Sequence, residues 1–261
     1  MKNLEKYSSI NRKHWNEVAS VHQEKYVNNL LHLIADKNFT TFDSVEKKLF
    51  NQIQLFGKSV AQINCNNARE LISVKRAGAS RCVGFDISDK FIKQGEALKQ
   101  AARVDIELVC TDIYDLGNAY DNQFDLLYIT IGVFGWLKDL EAFFSILSRL
   151  LKPGGQIFIY EMHPILELFE EDSGGTIRND YFNKKPYFTE NENDYMNPDK
   201  VIESPSYWFH HSLSEILGSL IKHGFNIIHF NEYAHDISGR GEFLASQEKR
   251  PPMCFSLIAS R

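Results

Sequence analysis

Along this chain, short unbroken apolar runs alternate with amphipathic stretches from about residue 60 onward. Val60–Ile63, 81–87 (RCVGFDI), 105–110 (DIELVC), 124–131 (FDLLYITI) and 156–160 (QIFIY) read as five strands. Between them, 67–77, Ser88–Ala102 and 139–151 carry apolar residues at helical spacing. Ser88 stands where an N-cap belongs, and Gly78 where a helix stops. Lys152-Pro153-Gly154-Gly155 breaks the last of these helices. Unbroken apolar runs suit strands covered on both faces. Strands alternating with helices of 10–15 residues imply βαβ units and a mostly parallel sheet.

The flanks are different. Residues 11–36 read as a helix, with Trp15, Val18 and Leu30–Ile34 among its apolar positions. Residues 163–211 are irregular and hold four of the seven prolines. A helix over 212–223, a strand over 225–230 (FNIIHF), a loop and a strand over 253–259 (MCFSLIA) predict a closing antiparallel pair. The whole of 1–261 reads as one α/β domain with insertions.

Composition narrows this little. Apolar residues are 43% and charged residues 24% of 261, ordinary for a globular chain. A net charge of −5 offers no basic field, which speaks against nucleic acid as a partner. No apolar run approaches the ~18–20 residues of a membrane helix, and Met1–Ser20 has no apolar secretory segment. Cys65, Cys82, Cys110 and Cys254 form no CxxC pair. The first three lie in or beside apolar runs and read as reduced core thiols. The expectation is a cytoplasmic protein without a metal site.

In an open α/β sheet, ligands bind beyond the carboxyl ends of the strands. Asp86 ends the second strand, where a carboxylate can accept both ribose hydroxyls of a nucleoside; it could also be a helix cap or a solvated acid. Asp112, after Thr111, could accept from an adenine amine or simply form a turn. The first turn reads Asn64-Cys65-Asn66-Asn67-Ala68, and no glycine lies between Gly57 and Gly78. A pyrophosphate cofactor needs glycines there, so NAD and FAD are disfavoured.

These features form a pattern. RAGASRCVGFDIS (76–88), CTDIYDL (110–116), FDLLYIT (124–130), LLKPGG (150–155) and IYEMHP (159–164) resemble a class I S-adenosylmethionine-dependent methyltransferase. NRKHWNEVASVH (11–22), GVFGWLKDL (132–140), HSLSEI (211–216) and MCFSLIAS (253–260) are similar to a bacterial branch of that family. Its first turn reads Q-C-H-x-G; Cys65 matches, whereas Asn64, Asn66 and Ala68 replace Gln, His and Gly. The resemblance implies a Rossmann-like, seven-stranded, mostly parallel sheet with helices on both faces and the last strand antiparallel. It implies S-adenosylmethionine as cofactor and S-adenosylhomocysteine as product. Asp86 and Ile87 would hold the ribose, and Thr111, Asp112 and Ile113 would frame the adenine. Residues 64–68 would face the methionine part, and Thr130, Ile131 and Gly132 would lie under the sulfonium. The helical segment 1–56 would close over the cofactor through Trp15 and His22, unless these simply pack.

Methyl transfer is an in-line displacement, in which the protein aligns the groups and excludes water. A protonated acceptor needs a base within hydrogen-bond reach. His163 is the first candidate, with Glu161 and His211 behind it. Residues 163–211 would cover the substrate. Over 161–205 there are eleven acids against four Lys or Arg, among many aromatics, which suits a solvated acidic surface loop first and a cover for a cationic or amine substrate second. The expectation is O- or N-methylation of a small molecule by a monomer or homodimer. The alternative is an impaired relative that serves as a ligand-binding or partner module, because of its altered first turn.

Overall fold

The computed structural model describes residues 2–170, 175–239 and 241–261. Helices come first: α1 (Lys2–His22), one π-helical turn (Gln23–Val27), α2 (Asn28–Ala35) and α3 (Ser44–Ile53). The alternating body follows as β1 (Ser59–Ile63), α4 (Arg69–Arg76), β2 (Arg81–Asp86), α5 (Asp89–Ala102), β3 (Glu107–Cys110), β4 (Phe124–Thr130), α6 (Leu140–Leu150) and β5 (Leu151–Met162). The insertion carries four short strands, β6 (Tyr187–Thr189), β7 (Glu192–Asn193), β8 (Val201–Ile202) and β9 (Ser206–Trp208). α7 (Leu213–Lys222), β10 (Asn226–Tyr233), α8 (Glu242–Ala245) and β11 (Cys254–Ser260) complete the chain.

The seven-stranded sheet runs β10-β11-β5-β4-β1-β2-β3. β1 pairs in parallel with β2 and β4, and β4 with β5; β11 is antiparallel to both β5 and β10. Successive strand residues face opposite sides, so each strand feeds two cores. Ala61, Ile63, Val83, Phe85, Leu127 and Ile129 pack with α6 and α7 through Phe143, Phe144, Leu147 and Leu220. Val60, Cys82, Leu126, Tyr128 and Phe158 pack with α2 to α5 through Ile34, Phe50, Leu71 and Leu98. Truncating Leu147, which is fully buried, to Ala costs about 2–5 kcal/mol.

Several boundaries move. The first helix begins at Lys2 rather than 11, because docking of its apolar stripe outweighs its polar first turns. Lys152–Gly155 ends α6, yet the strand resumes earlier than 156. Leu151 already pairs with Phe124, and the four residues bulge out before Gln156 meets Leu126. Cys110 is exposed rather than a core thiol, because β3 is an edge strand with a half-open face. The insertion is less irregular than its prolines suggest: β6 pairs with β9 and β7 with β8. No described helix is long and apolar enough to cross a membrane.

Candidate active site

A cavity of about 930 Å³ opens at the carboxyl ends of the parallel strands. Its floor is the first turn and the strand ends, its roof is α1 with the π-helical turn, and its far wall is the insertion. Asn64, Cys65, Asn66, Asp86, Ile87, Thr111, Asp112, Ile113, Thr130, Ile131 and Gly132 line it, as do Trp15 and His22. Ala68 does not. It sits fully buried just beneath, as the residue that opens α4.

The first turn achieves its shape without glycine. Asn64, Asn66 and Ala68 have φ of 52°, 51° and 60°, all in the left-handed region. Asn tolerates that region, because its short polar side chain can bond locally. The Asn67 amide donates to Asn66 Oδ1 at 2.7 Å, which is such a bond. Cys65 turns inward: a Cβ placed on Gly84 would stand 2.7 Å from its Sγ, so the bare glycine of β2 makes room for the sulfur. Burial pushes this thiol well above its ordinary value, so it fills space rather than reacts.

Asp86 is fixed by backbone. Asn66 N donates to Oδ2 at 2.7 Å and Ser88 N to Oδ1 at 2.9 Å. Burial pushes its carboxyl up to about 6, against the pull of those amides. Each oxygen keeps a lone pair for a further donor. Asp112 caps the turn Ile113–Asp115 by accepting from Tyr114 N at 3.1 Å, so it forms the turn and also faces the cavity.

The three residues read from sequence as acid–base candidates lie elsewhere. Glu161, His163 and His211 line a separate space of about 30 Å³ behind Gly132 and Met162. Glu161 is buried and receives the amides of Gly132, Val133 (2.8 Å) and Met162 (2.8 Å), so it holds the β4 loop. His163 Nδ1 accepts from Ile165 N at 3.1 Å, and its Nε2 lies 2.9 Å from Glu232 Oε1. Burial holds its pKa below the usual imidazole value, against the attraction of Glu232. His211 Nε2 donates to the Leu137 carbonyl at 2.6 Å. The end of β5 brought Glu161 and His163 to the right rim, but the β4 loop and β10 claim them, and the loop after β4 also holds His211.

The roof is clasped to the insertion by polar contacts. Asn11 exchanges two bonds with the Tyr207 backbone, at 2.9 and 2.8 Å. His14 sets Nδ1 3.0 Å from the Ser204 carbonyl and Nε2 3.2 Å from Glu192. Glu17 accepts both the Glu203 and Ser204 amides at 2.8 Å. His22 Nε2 lies 2.9 Å from Asp194, with both side chains buried. Only residues 8–27 of the N-terminal segment line the cavity. α3 instead docks on the sheet, with Phe50 against Tyr128 and Phe158. Trp136 stands at the centre, 4.8 Å from Trp15 and 5.0 Å from Trp208 by ring centroids. A Cβ on Gly135 would come within 2.1 Å of the Trp208 ring, so this glycine permits the stack.

A methyltransferase-domain family profile matches residues 61–159, which run from β1 to β5. A tRNA U34 carboxymethyltransferase from Campylobacter lari is 29% identical over 110 residues. That stretch is 42% of this chain and only 37% of the relative's length. A solved S-adenosylmethionine-dependent methyltransferase from Mesorhizobium loti superposes with TM-score 0.58 at 20% identity, covering 84% of this chain and 98% of that one. Residues 61–159 thus form a methyltransferase domain, and the chain as a whole has the fold of S-adenosylmethionine-dependent methyltransferases. Among solved methyltransferases, a geranyl diphosphate C-methyltransferase from Streptomyces coelicolor A3(2), in complex with S-adenosyl-L-homocysteine, superposes with TM-score 0.57 at 14% identity. That match covers 82% of this methyltransferase and 77% of the other.

The cavity fits the cofactor of this family. Gln62 Oε1 and Asn67 Oδ1 are buried acceptors on its wall and have no partner among the described residues. Unpaired buried oxygens are costly, and a bound ammonium or hydroxyl relieves them. The sequence reading missed Gln62, which looks like one more residue of an apolar strand. It also missed Arg69, whose Nε lies 2.6 Å from Glu70 at the same wall.

Proposed function

We propose that this methyltransferase moves a methyl group from S-adenosylmethionine to a nitrogen or oxygen of a small molecule. The observation that carries the reading is the cavity itself, which joins a strand-end rim bearing Asp86 and Asp112 to a space walled by the insertion. Bound there, the cofactor supplies an electrophilic methyl on sulfur. Asp86 accepts the ribose hydroxyls. Asp112 and Ile113 border the adenine. Gln62, Asn64, Asn66 and Asn67 meet the methionine end, with Arg69 beside its carboxylate. Thr130, Ile131 and Gly132 floor the transfer point, and α1 with Trp136 keeps water out.

The imidazoles of the small rear space, His163, His210 and His211, do not line the cavity, and the two that do, His14 and His22, face Glu192 and Asp194. The protein's main contribution is therefore alignment rather than general-base chemistry. With the cofactor held by Asp86 and residues 64–67, its sulfonium would supply the methyl group to a neutral nucleophile placed over Thr130, Ile131 and Gly132. The impaired-module reading has less support, because Asn64, Asn66 and Ala68 hold the turn open without glycine. Calorimetry with S-adenosylhomocysteine tests the proposal: submillimolar binding abolished by Asp86→Ala is expected. No heat at ~1 mM sinks it.

A further inference from the structure

Beneath the floor of the cavity lies a buried acid. Glu46, in the first turn of α3, is only 6% exposed. Its Oε2 accepts the Asp43 amide at 3.0 Å and so closes the capping box of the helix. Its Oε1 accepts the phenol of Tyr128, which is fully buried in β4. A glutamine would close the same box and accept the same phenol without burying a charge. The charges that act on Glu46, Asp43 at the N-cap and Glu70 of α4, have its own sign. Asp43 in turn receives the Tyr160 phenol of β5 at 2.8 Å, and His235 lies 2.8 Å from that phenol. Burial pushes the Glu46 carboxyl up to about 7, against the pull of the Tyr128 and Asp43 bonds.

Tyr128 connects this acid to the cavity. Side chains two residues apart on a strand share a face, so Thr130, which lines the cavity, stands beside Tyr128. The Thr130 hydroxyl is the phenol's other hydrogen-bonding neighbour. Gln62 is in register with Tyr128 across the parallel pair of β1 and β4, and it too lines the cavity. Its Oε1 is buried and has no partner among the described residues. The floor under the transfer point is thus made of oxygens, backed one phenol deeper by a carboxyl group. A buried carboxyl without a cation is held neutral, and a cation placed near it draws it into the ionised form.

Resting on the methyltransferase reading, we propose that Glu46 is the buried counter-charge of the cofactor's sulfonium. Glu46 ionises when S-adenosylmethionine binds and releases its proton to solvent. It takes a proton back when the ligand is S-adenosylhomocysteine, whose thioether is neutral. The ionised acid therefore favours the methyl donor over its own product, and by linkage the donor favours the ionised acid.

The test is calorimetry on the full-length protein with S-adenosylmethionine and with S-adenosylhomocysteine, from about pH 5 to about pH 8. The ratio of the two association constants is expected to rise about tenfold in favour of S-adenosylmethionine, levelling off above about 7. Asp86 titrates nearby, at about 6, but it meets the same ribose in both ligands and cancels in the ratio. In Glu46→Gln, which keeps the capping box and the phenol contact, this rise is expected to vanish. Any slope from the ligands' own amino groups is common to both proteins and is subtracted. Tyr128→Phe removes a bond that holds the Glu46 carboxyl down, so the plateau is expected to move above 7. The same pH dependence in the wild type and Glu46→Gln, a ratio that falls with pH, or an unmoved plateau in Tyr128→Phe overturns the inference. Absence of binding by both ligands overturns the methyltransferase reading itself, a result distinct from a flat ratio between two measurable affinities.

Discussion

The two halves of the cavity are built in opposite ways. In the nucleoside half, side chains are pinned by backbone near them in sequence or across one strand pair: Asp86 by Asn66 and Ser88, Asp112 by Tyr114. In the acceptor half, α1 is tied to residues 172 to 196 positions away, through His22–Asp194, His14–Ser204 and Asn11–Tyr207. The first half folds with the sheet and is rigid because the sheet is. The second half is an assembly of two covers that can part while the sheet stays intact.

The largest effect should come from the rigid half. Asp86→Ala removes acceptors for two charge-assisted bonds worth about 1.5–3 kcal/mol each, so S-adenosylhomocysteine should bind at least ~100-fold more weakly by calorimetry. The same residue gives a pH signature. Free Asp86 titrates at about 6, and the ribose needs its ionised form, so affinity rises with pH through 6 and levels off above it. From pH 7 to 5 the loss should be about tenfold, and Asp86→Asn should flatten the profile.

The cover half is next. Gly135→Ala drives a methyl into the Trp208 ring, so methyl transfer should fall by at least about tenfold while the circular dichroism spectrum and cofactor affinity hold. A loss of cofactor affinity equal to that of Asp86→Ala would erase the distinction between the halves. A double-mutant cycle with His22→Gln and Asp194→Asn should give a coupling of about 1–3 kcal/mol in the S-adenosylhomocysteine off-rate, because the pair is buried. Last, Ala68→Gly relieves a left-handed alanine and should add about 0.5–1 kcal/mol to stability, or roughly 1–4 °C in Tm.

The same division explains what could be read in advance. Strands β1, β2, β4 and β5 announce themselves as unbroken apolar runs, since both faces are covered. The residues at their ends then follow from topology alone, which is why the floor of the cavity was legible. The clasp was not, because no local pattern tells His22 that Asp194 will face it. The histidines misled for the same reason. Residue type and strand position put His163 at the rim, but its ring is held by the Ile165 amide and lies against a glutamate on β10. Gln62 was hidden by its strand, whose burial pattern makes any residue look like core.

The clasp also sets an order in time. During synthesis α1 emerges well before Ser204 and Tyr207, which receive it and follow almost 200 residues later. At synthesis rates of ≈ 5–20 residues per second, that is a wait of roughly 10–40 s. Through that interval the nascent chain exposes the apolar stripe of α1, with Val18 and Ala19 lacking the β8 residue Ile202 that later covers them. The segment that seals the finished cavity is thus the one most in need of shielding while the chain is being made.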